Sequence, residues 1–265
     1  MQEHTAMSHP DPLAQERRER LAGYALDTPF QALSRHWVRA SMQRRYVYNF
    51  DWLGRPIIQY PQDMVALQAL VWRLRPDLII ETGIAHGGSL VLSASLLALL
   101  DLSDAIEAGD MLDPRASRRK VLGVDIDIRA HNRAAIEAHP MASRIAMIEG
   151  SSLAPEVVQQ VRAFAQGYRR VLLCLDSMHT HEHVLGELNA YAPLVTPGSY
   201  CVVFDTFIED LPPRFFPDRP WDRGNNPKTA VRQWLAGQTD FEIDAEMEQR
   251  LQLTAAPQGF LRRMG

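Results

Sequence analysis

The segment at residues 176–183 concentrates side chains that could perform acid–base or metal chemistry. An aspartate, Asp176, is followed there by His179, His181 and His183. Imidazole can carry protons near neutral pH or bind metal ions. His181 and His183 could instead cap the next helix and face water, whereas His179 lies nearest to Asp176 on the loop. Proton transfer or metal ligation is therefore predicted for His179 first.

A second acidic group follows the next strand-like run, where Asp205 is succeeded by Glu209 and Asp210. If the strands before Asp176 and Asp205 are neighbours, the two carboxylates meet at one edge of the sheet. They repel each other there unless a proton or a cation lies between them. Ligation by oxygen alone is typical of Mg²⁺ rather than Zn²⁺. A magnesium site is one prediction, and a hydrogen-bonded pair of loop-capping acids is the other.

A glycine-rich turn, residues 81–89, is predicted between the first strand and the helix behind it. It contains Gly83, Gly87 and Gly88. Glycine allows the backbone to turn tightly and to approach a ligand, and the helix N-terminus offers unpaired N–H groups. The spacing is neither that of dinucleotide-binding folds nor that of a P-loop. The turn predicts a ligand site of another kind, with a purely structural strand–helix turn as the alternative.

Two further polar turns are predicted at the same end of the sheet. Asp125, at the tip of the second strand, could accept hydrogen bonds from both ribose hydroxyls of a nucleoside. The third strand ends in the polar residues 149–152. A polar surface insertion at residues 101–120 would explain the long separation between the glycine turn and Asp125. Three polar turns around one sheet end predict a crevice for a nucleoside.

Strand-like apolar runs alternate with helix-like stretches from residue 78 onward. The runs lack a two-residue alternation, which is typical of a parallel sheet covered on both faces. This repetition predicts right-handed crossovers and an α/β, doubly wound fold. Near the end, Phe241–Ile243 and residues 251–255 have no long helix between them and predict an antiparallel hairpin at the sheet edge. The predicted strands of the repetition are residues 78–81, 121–125, 144–148, 171–176 and 200–205.

Two segments outside this alternation are predicted to border the site. Residues 1–60 are expected to form an N-terminal helical extension, with residues 61–265 as the catalytic domain. Residues 207–227 are rich in proline and aromatic side chains, including Phe215, Phe216 and Trp221. A long, apolar loop at the catalytic end of a sheet predicts a lid over the substrate. A loop packed statically on the core is the alternative.

The composition narrows the class of protein. The chain has 265 residues, of which 46% are apolar and 23% are charged, as is ordinary for a globular protein. Its formal net charge of -4 argues against nucleic acid as the main partner. The polar N-terminus has no signal-peptide core, and the longest apolar stretch, residues 89–102, is shorter than the roughly 20 residues that cross a bilayer. Cys174 and Cys201 lie within apolar runs, which favours a reducing, cytoplasmic setting without membrane partners.

Taken together, the motifs resemble the cephalosporin hydroxylase family, whose members have a class I S-adenosylmethionine-dependent methyltransferase fold. They are similar, more distantly, to the Mg²⁺-dependent sugar O-methyltransferases of macrolide tailoring. The resemblance implies a Rossmann-like, seven-stranded sheet with an antiparallel edge hairpin. It also implies methyl transfer from S-adenosylmethionine to a hydroxyl of a sugar or other natural product. The stretches that carry it are residues 50–63, 81–89, 123–133, 175–184, 203–212, 224–231 and 259–262.

The resemblance also implies roles for individual residues. His179, beside Asp176, would be the general base, and Asp176, Asp205 and Glu209 would bind Mg²⁺. The glutamate–aspartate pair of the sugar methyltransferases is here Phe204–Asp205, so one metal ligand is lost unless Glu209 or water replaces it. The residues implied to contact the cofactor are Glu81, Gly83, His86, Gly87 and Ser89 around its methionine portion, Asp125 and Asp127 at the ribose, Ser151 and Ser152 near the adenine, and Asp176.

Two other functions remain open at this point. The altered position at Phe204 is compatible with a partner that binds S-adenosylmethionine without methylating, such as a protein that supports a separate hydroxylase. A nicotinamide-dependent oxidoreductase is disfavoured by the glycine spacing. The resemblance implies a small-molecule acceptor. A homo-oligomer is expected, with the N-terminal helical segment as its interface.

Overall fold

The computed structural model describes residues 12–265, so the first part of the predicted N-terminal extension lies outside the described residues. Strands β1 (Phe50–Trp52) and β2 (Arg55–Ile57) form a separate antiparallel hairpin. Seven further strands of the described chain form one mixed sheet. They are β3 (Leu78–Thr82), β4 (Lys120–Asp125), β5 (Ile145–Glu149), β6 (Val171–Leu175), β7 (Tyr200–Val203), β8 (Phe241–Ile243) and β9 (Phe260–Arg263).

Helices cover both faces of this sheet, which confirms the predicted doubly wound fold. Ile79 and Ile80 are neighbours on β3, and each is completely buried in a different apolar cluster, one on each face of the sheet. The helices are α1 (Pro12–Leu26), α2 (Thr28–Gln43), α3 (Pro61–Leu74), α4 (Gly88–Ala108), α5 (Ala130–Glu137), α6 (Pro155–Ala165), α7 (His181–Tyr191), α8 (Pro227–Leu235) and α9 (Ala245–Leu251).

The strand order is β5-β4-β3-β6-β7-β9-β8. The first five strands of the sheet run parallel, and β9 pairs antiparallel with both β7 and β8. Because β3 is central and β4 and β6 flank it, the chain reverses direction of winding beside β3. Ligands of open α/β sheets bind at such a point, beyond the carboxyl ends of the strands.

The antiparallel edge was predicted, but one of its two strands was placed wrongly. Residues 251–255 are not a strand: α9 ends at Leu251, and the partner of the edge strand β8 is β9, which lies between β7 and β8. The carboxylate of Asp63 on α3 binds this connection, because Thr254 Oγ1 lies 2.5 Å from it and the Ala255 N–H donates to it at 2.8 Å. The backbone there is committed to α3 and is not available to pair with a strand.

Helix α4 continues to Ala108 and so takes up the first part, residues 101–108, of the surface insertion expected at residues 101–120. By length and composition alone it is the one helix of the described chain that could cross a membrane. Its side chains Leu90, Leu92 and Leu97 are completely buried within the fold. A core helix passes the same test, and the packing of α4 assigns it to that class.

The N-terminal extension packs on the same core as the sheet. Val38, Val47 and Ile57 belong to one buried cluster together with Leu90 of α4. The Tyr60 hydroxyl, which is inaccessible to solvent, lies 2.7 Å from Ser41 Oγ of α2. The extension and the sheet thus share one core, and the predicted domain boundary at residue 60 stays a prediction.

Candidate functional site

A cavity of about 960 Å³ opens at the carboxyl ends of the central strands. One wall comes from the glycine turn between β3 and α4, and a second from the loops after β6 and β7. Residues 42–48 and 56–59 of the N-terminal extension form a third wall, and residues 215–221 form the fourth. The cavity is therefore assembled from segments that are far apart in the sequence.

At two positions of the glycine turn, another segment of the chain lies too close for any side chain larger than that of glycine. Gly83 has a φ of +93°, and a Cβ there would collide with the carbonyl oxygen of Asp176. A Cβ on Gly88 would collide with the carbonyl oxygen of Pro56, because β2 crosses the start of α4. These two contacts bring the loop after β6 and the N-terminal hairpin against the turn.

Glu81 is a buried carboxylate beneath this turn, at 3% exposure. The Ser89 hydroxyl donates a hydrogen bond to it, and Ser89 lines the cavity. Burial raises the pKa of Glu81 to about 7, although the bond from Ser89 opposes the shift. A cationic group placed at this end of the cavity would be stabilised by Glu81.

The backbone of His86 belongs to the same wall. The carbonyl of His86, a residue that lines the cavity, accepts from the Arg55 guanidinium, with the Nε donor at 3.0 Å. Gly87, next to it, does not line the cavity. The hairpin thus fixes the turn through Arg55.

Asp125 does not line the cavity but binds the backbone of the glycine turn. One oxygen of its carboxylate accepts from the N–H groups of Ile84 at 2.7 Å and Ala85 at 3.2 Å. The other oxygen accepts from the N–H of Asp127 at 3.1 Å, and Asp127 is exposed. Asp125 therefore holds the glycine turn in shape, and its contact with a ribose stays a prediction.

The polar turn after β5 is connected to α7. Ser152 is buried, its hydroxyl lies 3.1 Å from His183 Nε2, and its carbonyl accepts from the Tyr191 hydroxyl. Neither Ser151 nor Ser152 lines the cavity. The lining of the cavity therefore does not test the predicted position of these two serines near an adenine.

The loops after β6 and β7 bring Asp176, His179 and Asp205 together. One ligand atom from each lies within 4.8 Å of the others, and His179 Nε2 is 3.0 Å from Asp205 Oδ2. This follows from the sheet, because β6 and β7 are parallel neighbours with Leu175 paired to Val203. The predicted adjacency of the two strands is confirmed.

The two acids of this group are half-buried beside one another. Desolvation, followed by the negative charges of Asp205 and Glu81, raises the pKa of Asp176 well above its ordinary value. Desolvation also raises the pKa of Asp205, and the adjacent His179 partly offsets that shift. Ionising both carboxylates is costly, so a cation between them is electrostatically favoured.

Glu209 lies elsewhere, and the structure does not bring it to this group. Its carboxylate accepts from the Gly224 N–H at 2.8 Å and from Asn226 Nδ2 at 2.6 Å. Burial opposes ionisation, but these two bonds together with the charges of Arg232 and Arg223 lower the pKa of Glu209. Among the described residues, the group that could hold a metal ion consists of Asp176, His179 and Asp205, so His179 stands where Glu209 was predicted. Phe204 is a buried core residue.

Residues 215–221 carry the predicted aromatic side chains to the cavity. Phe215 and Phe216 meet edge to face with centroids 4.9 Å apart, and the Trp221 ring lies 4.7 Å from that of His179. The segment is fastened to its own ends, since Asp222 accepts from the Arg214 N–H at 2.9 Å. The structure shows this loop covering the site, and its opening stays a prediction.

Comparison with known proteins adds an independent finding. Residues 44–264 match the family described as Rhamnosyl O-methyltransferase/CmcI. A rhamnosyl O-methyltransferase of Mycobacterium leprae (strain TN) is 30% identical over 225 residues, 82% of this chain and 85% of that protein. A rhamnosyl O-methyltransferase of Mycobacterium bovis (strain BCG / Pasteur 1173P2) is 29% identical over 209 residues, 76% of this chain and 73% of that protein.

The chain belongs to the rhamnosyl O-methyltransferase/CmcI family. This confirms the resemblance found in the motifs and makes the chain an O-methyltransferase rather than an oxidoreductase. A solved structure described as "cmcI-D160 Mg-SAM" shares the fold, with a TM-score of 0.53 at 17% identity, and the match covers 82% of this chain and 78% of that one.

Two polar residues in the cavity region of this family member had no role assigned from the sequence. Gln59 lines the cavity, and Asp63 is buried at 1% exposure behind it. Asp63 shares the buried face of α3 with Leu67 and Leu70. The helical spacing of this acid with two core leucines could have indicated from the sequence that Asp63 is buried. No periodicity distinguishes Gln59, which precedes the helix.

Proposed function

We propose that this O-methyltransferase transfers the methyl group of S-adenosylmethionine to a hydroxyl of a rhamnose unit or a related deoxysugar in a natural product. The observation that carries the proposal is the group formed by Asp176, His179 and Asp205, which lines the same cavity as the glycine turn. The names of the mycobacterial relatives support the choice of sugar.

The glycine turn would hold the methionine portion of the cofactor. Glu81 supplies a buried negative charge for the ammonium group, and Gly83, His86 and Ser89, which line the cavity, supply the surrounding backbone and hydroxyl. A cationic ligand at Glu81 would offset the cost of burying that carboxylate.

The rest of the cofactor would extend over the tips of β4 and β5. Asp125 keeps acceptor capacity for the ribose, because a carboxylate has about four lone-pair sites and three are in use. Asp127 lies beside it, and Ser151 and Ser152 follow at the next strand tip, where the adenine would lie.

The two half-buried carboxylates, Asp176 and Asp205, fit a hard divalent cation such as Mg²⁺, which prefers oxygen ligands. Bound there, the cation would polarise the acceptor hydroxyl and lower its pKa. We assign His179 to proton transfer rather than ligation, because nitrogen is a less suitable donor for Mg²⁺. Glu209 is omitted from the proposed ligands because it fastens the loop that covers the site.

The chemical step would be a direct displacement. The acceptor oxygen attacks the sulfonium methyl carbon, the carbon–sulfur bond breaks, and its electron pair stays on sulfur to give S-adenosylhomocysteine. His179 accepts the hydroxyl proton, and Asp205 at 3.0 Å orients the ring and stabilises its protonated form. The aromatic rings of Phe215, Phe216 and Trp221 would pack against the acceptor and exclude water.

The test is methyl transfer from S-adenosylmethionine to p-nitrophenyl α-L-rhamnoside in the presence of Mg²⁺, followed by mass spectrometry. We expect a mono-methylated product, and His179→Gln to lower kcat by roughly 10²–10⁴ without changing the affinity for S-adenosylhomocysteine. His181→Gln is the matched control, because that ring pairs with Thr229 and Gln233 on α8. Absence of product with the wild type would overturn the choice of acceptor, and full activity of His179→Gln would overturn the role of the base.

We further propose a cytoplasmic homo-oligomer. The free thiols of Cys174 and Cys201 are buried in neighbouring strands, as suits a reducing compartment. The N-terminal helices expose Leu26 at 85% and Leu33 at 63%, which supports their use as an interface. Light scattering of the purified protein tests the oligomer directly: a monomer at all concentrations would contradict it.

A further inference from the structure

Gln59 occupies a fixed position in the wall of the cavity, between β2 and α3. On one side, Ile57 packs against the start of α4 at Gly88. On the other, Tyr60 is inaccessible to solvent and its hydroxyl lies 2.7 Å from Ser41 Oγ. Both neighbours of Gln59 are thus held by packing, and Gln59 itself lines the cavity.

The side-chain oxygen of Gln59 is buried without a partner. The residue is only 6% exposed, and its Oε1 has no hydrogen-bond partner within the described residues 12–265. Leaving a buried polar atom unpaired is costly for a folded protein, and most such atoms are paired. A polar atom of this kind in the wall of a large cavity is explained if a ligand supplies the missing partner.

The local surroundings indicate which ligand this is. Gln59 lines the same cavity as Asp176, His179 and Asp205, whereas Asp125 does not line it. The ammonium of the cofactor already has Glu81 as its proposed partner. A hydroxyl can both donate and accept, and it therefore satisfies an amide in either orientation, whereas an ammonium can only donate.

We propose that Gln59 is a specificity-determining residue of the acceptor site and that its amide pairs with an acceptor hydroxyl other than the one that is methylated. This inference rests on the proposed function and adds the requirement for a polyhydroxylated acceptor. A site built to bind a substrate hydroxyl rejects analogues that lack it, because its own polar group is then left unpaired.

The experiment compares the wild type with Gln59→Met on p-nitrophenyl α-L-rhamnoside and on its 2-, 3- and 4-deoxy analogues. Methionine keeps the length of the side chain and removes its polarity. We expect Gln59→Met to lower kcat/KM for the full rhamnoside about tenfold, through KM. For one deoxy analogue, the wild type should show a similarly lower kcat/KM than for the full rhamnoside. Gln59→Met should show no further decrease with that analogue. The affinity for S-adenosylhomocysteine should not change.

Gln62→Met is the matched control. Its Oε1 is also buried without a partner in the described chain, but Gln62 does not line the cavity. Both variants should keep or raise the thermal midpoint of the free protein, since each removes an unpaired polar atom. Only Gln59→Met should alter acceptor kinetics.

The outcomes separate this inference from the proposed function. Weaker binding of S-adenosylhomocysteine by Gln59→Met would assign the amide to the cofactor and overturn the inference. So would a loss of equal size with all three deoxy analogues, or no loss with the full rhamnoside. Failure of the wild type to methylate any of these glycosides would overturn the proposed acceptor and the inference together.

Discussion

At the scale of single residues, the strand-tip carboxylates of this enzyme differ in what surrounds them. Glu81 and Asp176 are desolvated and have raised pKa values, whereas Asp125 is satisfied by three backbone N–H groups. A carboxylate that holds backbone in place is already oriented before a ligand arrives. Such preorganisation favours Asp125 as the ribose acceptor, since little side-chain freedom is lost on binding.

This argument predicts the effect of Asp125→Asn. The substitution removes the charge and turns one acceptor oxygen into a donor that faces N–H groups. We expect the dissociation constant for S-adenosylhomocysteine, measured by isothermal titration, to rise roughly 10- to 100-fold, the scale of a lost charged hydrogen bond. Glu149→Gln is the control, because Glu149 is in register with Asp125 on the next strand and pairs with Arg133 instead. Unchanged affinity in Asp125→Asn would exclude the ribose contact.

At the scale of elements, the site depends on loops that touch where a side chain would not fit. The glycine turn and the loop after β6 meet at Gly83, whose φ of +93° is itself unfavourable for other residues. The loop after β6 carries both Asp176 and His179. This contact therefore helps to set the position of the acid group relative to the glycine turn, together with the pairing of β3 and β6.

We predict that Gly83→Ala loses stability through both strain and collision, and loses cofactor binding as the turn shifts. Gly167→Ala is a matched control, since Gly167 has a φ of +90° but open space where its Cβ would lie. Each variant should lose about 1 kcal/mol or more to backbone strain, and Gly83→Ala a further 1–3 kcal/mol or so to the collision. Denaturant unfolding measures both. Equal decreases in the free energy of unfolding of the two variants would show that the close contact of Gly83 with Asp176 does not exclude a side chain.

At the scale of the whole molecule, several acids are brought together around one cavity, and this makes stability depend on pH. The pKa of Asp63 is raised by burial from 3.8 to about 7, and that of Glu81 from 4.5 to about 7. The folded protein binds these protons more tightly than the unfolded chain does. Their contribution to stability is complete below about pH 4 and is lost as the pH rises towards about 7.

We therefore expect the thermal midpoint of the protein without ligands to fall as the pH is raised from about 4.5 to about 7. Asp63→Asn should flatten this slope, whatever its effect on the absolute midpoint. Mg²⁺ should raise the midpoint more at pH 8 than at pH 5, because it competes with protons for Asp176 and Asp205, and Asp205→Asn should abolish that gain. A midpoint that rises across this window in the wild type, or a slope unchanged in Asp63→Asn, would contradict the assignment.

Much of this architecture is determined by local sequence. The parallel strands can be recognised as apolar runs that end in polar residues. A strand buried on both faces consists of consecutive apolar residues, and such a run is visible in the local sequence. The glycine turn and the acids that follow each strand could be recognised for the same reason. The strand predicted at residues 251–255 is wrong: that segment is bound by Asp63, which lies 191 residues before Thr254 in the chain.

The sequence by itself determined the parallel part of the sheet, the end of the sheet at which chemistry occurs and the family of the enzyme. Only the tertiary structure decided which side chains meet there. It brings His179, and not Glu209, to Asp176 and Asp205, and it adds Gln59 from the N-terminal extension to the wall of the cavity. The physical reason is that side-chain contacts between loops depend on packing across the whole fold, which short-range patterns of polarity do not encode.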